Sequence, residues 1–230
     1  MPYQYTYILI NFFTIIICFI ASFDKRIQFH KHFLIFLLSS TTVALFFIAW
    51  DIWFTAKGVW WFNMDYTLGV KIAGLPLEEM LFFYCIPFAC VFTYYCIEKF
   101  FNLEWASAFN NIIVFLGVIS CAVIALLHHD KLYPFVTSLI TIITLIFLHF
   151  IARKEWIGQA TLVYLILMLG FFPVNGILTG TGLPSPVVNY NPDEFLGIRM
   201  LTIPVEDAVY GYSMFLLNVY FFKLFGAAFK

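Results

Sequence analysis

Apolar residues fall into seven long blocks along this chain, separated by short polar or charged breaks. The blocks lie near Tyr3–Phe23, Phe33–Trp50, Leu77–Ile97, Phe109–Leu127, Pro134–Ile151, Ile157–Asn175 and Ile203–Phe221. Each matches the about 17 to 25 residues that a helix needs to cross a bilayer. Lipid offers the backbone no hydrogen-bond partner, so helices are expected throughout. The breaks carry the charge: Asp24-Lys25-Arg26 and His30-Lys31-His32 join spans one and two, and Arg153-Lys154-Glu155 joins spans five and six. Two long loops are expected at Asp51–Pro76 and Gly176–Pro204, each leading into a proline and two acids.

That last pattern is a repeat. Leu75-Pro76-Leu77-Glu78-Glu79 returns as Ile203-Pro204-Val205-Glu206-Asp207, at an offset of 128. At the same offset Asn63 matches Asn191, Asp65 matches Asp193, Gly69 matches Gly197, Lys71 matches Arg199, and Lys25 matches Arg153. Asp51, Thr55 and Gly58 match Asn175, Thr179 and Gly182 at an offset of 124, so the second loop carries a four-residue insertion. The pattern predicts an all-α integral membrane protein of seven transmembrane helices. Residues 1–100 hold repeat 1 (helices 1–3), 101–131 hold linker helix 4, and 132–230 hold repeat 2 (helices 5–7). Three helices plus one linker bring the second repeat in with the orientation of the first. Parallel repeats of this kind place a site at their interface.

Composition agrees. Hydrophobic residues make up 63% of the chain and charged residues 11%, with a mean hydropathy of +0.94. A soluble domain has too little interior to hide that excess. A net charge of −1 argues against nucleic-acid binding. The five cysteines sit inside apolar runs without a C-x-x-C pair and read as apolar filler. The first 23 residues have no Lys or Arg and no convincing cleavage site, so they read as a retained span. Eight Lys and Arg (Lys25, Arg26, Lys31, Lys99, Arg153, Lys154, Lys223, Lys230) fall on one side, and four (Lys57, Lys71, Lys131, Arg199) on the other. The positive-inside rule then predicts an outer N-terminus and a cytoplasmic C-terminus in the cell membrane.

Proline is at ease in a first helical turn, and acids just after it suit the helix dipole. Any single such motif is adequately explained as an ordinary interfacial helix start. Duplication of motif and loop beside nearly uncharged spans argues for function, since ionisable groups at membrane depth are functional candidates. Adjacent acids on a helix point about 100° apart, so one of each pair faces a shared cavity. Glu78 and Glu206 are identical and equivalent, and are expected to face inward. Glu79 and Asp207 are expected behind them, pairing with Lys71, Arg199 or loop amides. A carboxyl in an apolar pocket can keep its proton near neutral pH and serve as an acid. Trp50, Trp53, Trp60, Trp61, Phe62, Tyr66, Phe82, Phe83 and Tyr84 crowd the first copy, and Tyr190, Phe195, Tyr210 and Tyr212 the second. Most suit an interfacial belt; a π-lined wall would also stabilise a carbocation. His30, His32, His128, His129 and His149 lack acids at matching spacing, so no metal site is expected.

The Asp51-x3-Thr55-x2-Gly58 segment, the Gly69 to Glu79 stretch with Phe82-Phe83, and Pro204-Val205-Glu206-Asp207 together resemble the lycopene cyclase domain family. Its members occur as two separate subunits or fused in one chain, and this chain resembles the fused form over nearly all its length. The resemblance implies lycopene β-cyclase activity on a carotenoid held within the bilayer, with room for a homo-oligomer. It implies Glu78, Glu206, Glu79 and Asp207 as catalytic residues. Supporting roles would fall to Asp51, Thr55, Asn63, Asp65, Lys71, Pro76, Asn175, Asn191, Asp193, Arg199, Pro204, Trp60, Phe82 and Tyr210. Protonation of a ψ-end at C2, ring closure through a carbocation and proton loss from C6 would give a β-ionone ring without net redox. No cofactor is expected, although the lack of a dinucleotide motif leaves flavin and nicotinamide open. Asp207 in place of Glu, and Asn175 in place of Asp, imply that the halves are chemically unequal. A membrane prenyltransferase or carotenoid elongase would want an Asp-x-x-x-Asp cluster, which the Asp193-Glu194 region lacks. A retinal-binding receptor would want a lysine midway along the last span, where none occurs. A transporter would fit the parallel repeats.

Overall fold

A computed structural model describes residues 3–228. Lys230, counted in the charge tally, lies outside the described residues. Seven helices long and apolar enough to span a membrane dominate it. They are α1 (Thr6–Ala21), α2 (Phe33–Lys57), α3 (Leu77–Phe100), α4 (Asn110–Leu127), α5 (Leu132–Ile146), α6 (Ile157–Leu178) and α7 (Val205–Ala228). A π-helical turn, Phe147–Ile151, extends α5 over the rest of its expected span. The chain is therefore a multi-pass membrane protein of two three-helix repeats joined by α4.

Helix α2 runs past Trp50 to Lys57 and α6 past Asn175 to Leu178. Asp51 and Thr55 thus sit on a helix where a loop was expected, and α6 continues three residues past its expected end at Asn175. The reason is local. Asp51 finds its partners beside its own helix, in Thr55 one turn on and in Trp60, and Thr179 returns its hydroxyl to the Asn175 carbonyl at 2.8 Å. Gly58 then stops α2 with a left-handed φ of +70°, a conformation glycine adopts without steric cost.

Six short strands organise the loops: β1 (Trp60–Phe62), β2 (Lys71–Ile72), β3 (Leu75–Pro76), β4 (Val188–Tyr190), β5 (Arg199–Met200) and β6 (Ile203–Pro204). Within each repeat a hairpin precedes the last helix. Lys71 pairs with Pro76 in one, and Arg199 with Pro204 in the other. Both prolines therefore close a strand just before the helix starts, one residue earlier than the first helical turn where they were expected. Between the repeats, β1 and β4 pair antiparallel, with Trp60 opposite Tyr190, Trp61 opposite Asn189 and Phe62 opposite Val188. Shifting by 128 exchanges Trp60 with Val188 and Phe62 with Tyr190, so the ladder maps onto itself. The flanking bonds obey the same exchange: Asn63 N donates to Val187 O at 2.8 Å, and Asn191 N to Val59 O at 2.9 Å. A pseudo-twofold relation thus passes through Trp61 and Asn189, and the two long loops meet across it.

Packing repeats as well. Helix α1 lies on α3 as α5 lies on α7, and the repeats cross-pack through α2 on α7 and α3 on α6. Phe47, Trp50, Phe54, Trp60, Phe83, Tyr133 and Met214 fill the centre beneath the loops. At the opposite end Asn110 ties α4 to α6. Its Oδ1 accepts from Gly158 N at 2.6 Å and its Nδ2 donates to Glu155 O at 2.6 Å. A side chain at Gly158 would collide with the Ala106 carbonyl, so that approach needs glycine.

Candidate active site

The first turns of α3 and α7 present the four acids. Burial does not separate them: Glu78 is 0% exposed, Glu206 3%, and Glu79 and Asp207 7% each. Their partners do. Glu78 Oε1 accepts from Leu68 N at 2.6 Å, and Glu206 Oε1 accepts from Leu196 N at 2.6 Å. Each therefore holds its own loop against its own helix, ten residues away in both copies. Asn11 Nδ2 on α1 also donates to the Glu78 carbonyl at 2.8 Å. The expectation that Glu78 and Glu206 face a shared cavity is overturned. The hairpin folds the loop back over the first acid of each pair, so the roughly 100° turn of the helix sends the second one inward.

Glu79 and Asp207 both line a cavity of about 90 Å³ at the repeat interface. Asp51, from the last turns of α2, lines it as the third acid, and Asn175 occupies the corresponding place on α6. Tyrosines bind the acids. Tyr7 on α1 donates its hydroxyl to Glu79 Oε2. Tyr133 on α5 donates to Asp207 Oδ1 at 2.5 Å, and Tyr190 on β4 donates to Asp207 Oδ2 at 2.8 Å. Trp60 Nε1 donates to Asp51 Oδ1 at 2.6 Å, with Thr55 Oγ1 at 3.4 Å from the same oxygen. Asp51 Oδ2 is buried and has no hydrogen-bond partner. Burial and the adjacent Asp207 carboxyl push the Tyr190 hydroxyl well above its ordinary range. It therefore keeps its proton, and its role as donor, throughout the neutral pH range.

Aromatic faces enclose these acids. Trp60 meets Tyr133 edge to face at 5.1 Å, Tyr133 stacks on Tyr190 at 6.0 Å, and Tyr210 packs on Trp50 at 4.8 Å. Phe82, beside Tyr7 at 6.3 Å, completes the opposite wall. No Lys or Arg among the described residues lines the cavity or forms an ion pair with its acids. Among the described residues, ion pairs join Asp24 to Arg26 and Glu98 to Lys223, both distant in sequence and partners from the cavity. The expected pairing of Glu79 or Asp207 with Lys71 or Arg199 does not form. Lys71 is exposed on its hairpin. Arg199 bonds the Thr202 carbonyl and lies over the rings of Phe195 and Tyr190, at 4.8 and 5.7 Å.

Other sequence candidates shape the loops. Asn63 Oδ1 accepts from Asp65 N at 3.0 Å and Asn191 Oδ1 from Asp193 N at 3.1 Å, an identical side-chain turn in each repeat. Asp65 and Asp193 themselves are exposed. Gly69 and Gly197 take left-handed φ values of +81° and +79° in the segments that follow. Of the sequence-predicted residues, the structure gathers Glu79, Asp207, Asp51, Asn175, Trp60, Phe82 and Tyr210 around one cavity. It leaves Asn63, Asp65, Lys71, Asn191, Asp193 and Arg199 in the loops. Sequence reading missed Tyr7 and Tyr133. They are separated by 126, which is neither repeat offset, and helices one and five offer few polar landmarks to align. A tyrosine buried near the start of each outer helix was the available signal.

The chamber thus sets three carboxyls, with their tyrosine, tryptophan and threonine donors, inside an aromatic shell. It can hold protons against an apolar guest without admitting bulk water, and it can stabilise positive charge on carbon. A family model described as Lycopene cyclase matches this chain twice, over residues 4–97 and 130–225. The two matched segments are the two structural repeats, and the unmatched interval contains α4. No curated protein and no solved structure matches the chain.

Proposed function

The chain belongs to the lycopene cyclase family, and on that premise we propose that it is a lycopene β-cyclase whose proton chemistry runs on Glu79, Asp207 and Asp51. The observation that carries this reading is the grouping of three carboxyls from both repeats around one small, aromatic cavity that no described Lys or Arg lines. Three negative charges in such a volume repel strongly where the dielectric is low. At least one acid therefore retains its proton, and at least one other can receive one.

The reaction follows from that inventory. A protonated carboxyl delivers its proton to C2 of a ψ-end, leaving a cation at C1. The C5=C6 π electrons attack C1, forming the C1–C6 bond and moving the cation to C5. A second carboxylate removes the C6 proton, and that C–H electron pair becomes the new C5=C6 double bond. One proton enters and one leaves, so the step is an isomerisation with no electron donor or acceptor. The faces of Trp60, Tyr133 and Tyr210 suit the intermediate cation through cation–π attraction. Tyr7, Tyr133 and Tyr190 orient the acids. A single-tyrosine contact on Glu79 and a double one on Asp207 make the two acids unequal, which favours Glu79 as donor and Asp207 as acceptor. Asp51, with an oxygen free of hydrogen bonds, is placed to exchange a proton with either.

Expression in a lycopene-accumulating host tests this. The wild type is expected to convert lycopene to products with β-ionone rings, read by chromatography and absorbance. Glu79→Gln, which keeps an acceptor oxygen for Tyr7, and Asp207→Asn, which keeps one for one of its two tyrosines, are expected to lower conversion about 100-fold or more, as loss of a positioned acid or base does. Wild-type conversion in either variant, at equal membrane level, removes that acid from the mechanism.

A further inference from the structure

A groove of about 480 Å³ opens between α3 and α6, against the wall of the acid cavity. Ile86, Phe171, Asn175, Gly211 and Met214 line both spaces. From that shared wall the groove follows α3 through Pro87 and Cys90 to Thr93, about 10 Å along the helix at 1.5 Å per residue. Its other wall is α6, whose Ile166 and Leu169 line the groove and are 43% and 79% exposed. In a membrane-spanning helix those side chains meet lipid. The groove therefore lies between the bilayer and the wall of the carboxyl cavity.

The pseudo-twofold counterpart of this groove, between α7 and α2, is closed. The position equivalent to Gly211 is Phe83, buried at 2% exposure, and the position equivalent to Phe171 is Phe47, fully buried. Val43 and Ala44 let α2 settle on α7, and both are buried there. Pro87 and Pro173, which line the open side, each remove a backbone donor from their helix. The counterpart of Pro173 on α2 is Ala49, and that of Pro87 on α7 is Phe215, which also lines the open groove. The two repeats share one cavity, and the packing on its two flanks differs.

We infer that the α3–α6 groove is the lateral mouth through which an acyclic polyene threads one end to the acids, so that one ring is closed per visit. This rests on the cyclase reading above. The occupant is identified by shape and chemistry. The acid cavity is small beside the groove, the groove walls are apolar, and a long conjugated chain with one end at Glu79 must run its remaining length along them. Conjugation keeps the chain straight, so its two ends cannot reach the carboxyls together. The second end reaches them only after release and reversal.

Groove-filling substitutions away from the acids provide the test. Cys90→Trp, and the milder Thr93→Leu, are assayed with lycopene and with a truncated polyene that carries the same end group but ends short of Cys90. Cys90→Trp is expected to slow lycopene conversion at least tenfold and Thr93→Leu a few-fold, with the short substrate converted near the wild-type rate. Leu45→Trp, on the lipid face of α2, is expected to remain within twofold of wild type on both. In wild-type time courses a monocyclic product should rise first and the bicyclic product should lag. Unchanged lycopene conversion by both groove variants, equal loss on both substrates, or bicyclic product without a lag would overturn the single mouth. A wild type that forms no ring from either substrate would instead sink the cyclase reading itself.

Discussion

Where α2 meets α7, Phe47 and Trp50 close on Tyr210 with ring centroids 5.0 and 4.8 Å away. Where α6 meets α3, the equivalent residues are Phe171, Val174 and Phe82, and a groove of about 480 Å³ remains open. Both flanks descend from the same helix plan, and key polar contacts repeat in each copy. Leu68 on Glu78 repeats as Leu196 on Glu206, and Tyr7 on Glu79 repeats as Tyr133 on Asp207. The difference lies in side-chain volume along the cross-packed helices. A duplicated scaffold can therefore keep its buried polar framework, where an unsatisfied partner is costly, while apolar packing drifts and makes one side a wall and the other an opening.

The acids diverge in the same manner, since Asp51 on the closed flank corresponds to Asn175 on the open one. If that inequality matters, Asp51→Asn is the substitution that tests it hardest. The amide keeps an oxygen for Trp60 Nε1, so the fold should stand while ring formation falls about 100-fold. Asn175→Asp should not restore it, because Thr179 bonds the backbone carbonyl of Asn175 and not its side chain, which donates to the Phe171 carbonyl. Restoration of activity in the double variant would make the two flanks chemically interchangeable.

A smaller effect separates the tyrosines. Tyr7→Phe removes the hydroxyl bound to Glu79, whereas Tyr133→Phe leaves Asp207 with Tyr190. Single-turnover rates are expected to fall about tenfold for Tyr7→Phe and about two- to threefold for Tyr133→Phe, in line with the about 0.5–1.5 kcal/mol of one hydrogen bond. The reverse order would mean that the second tyrosine does not share the load.

The smallest effects on chemistry are expected at the first acid of each pair. Glu78→Gln and Glu206→Gln keep the oxygen that accepts Leu68 or Leu196, so turnover should stay within severalfold of wild type. Glu78→Ala leaves that amide unpaired and should cost about 1–3 kcal/mol of stability, seen as a lower midpoint in thermal unfolding in detergent. Strong loss of turnover in Glu78→Gln with unchanged stability would return Glu78 to the chemistry.

Seven apolar blocks and a motif recurring at an offset of 128 were enough to read seven spanning helices and two repeats from sequence, and to single out two acid pairs. Those features are local or periodic: hydrocarbon thickness sets helix length, and a duplicated motif marks a duplicated structure. Which acid of each pair faces the cavity depended on the hairpin formed by Lys71 with Pro76, and Arg199 with Pro204, which turns a loop amide onto the first carboxyl. That geometry is tertiary, because adjacent residues on a helix differ only by rotation until something packs against one of them. The tyrosines were hidden for a related reason. Tyr7 meets Glu79 across 72 positions and Tyr133 meets Asp207 across 74, and no spacing rule links residues on separate helices. The open flank, too, belonged to packing alone: Gly211 opposite Phe83 reads as a minor change in sequence, but in the folded chain it is the difference between a filled interface and a groove open to the lipid.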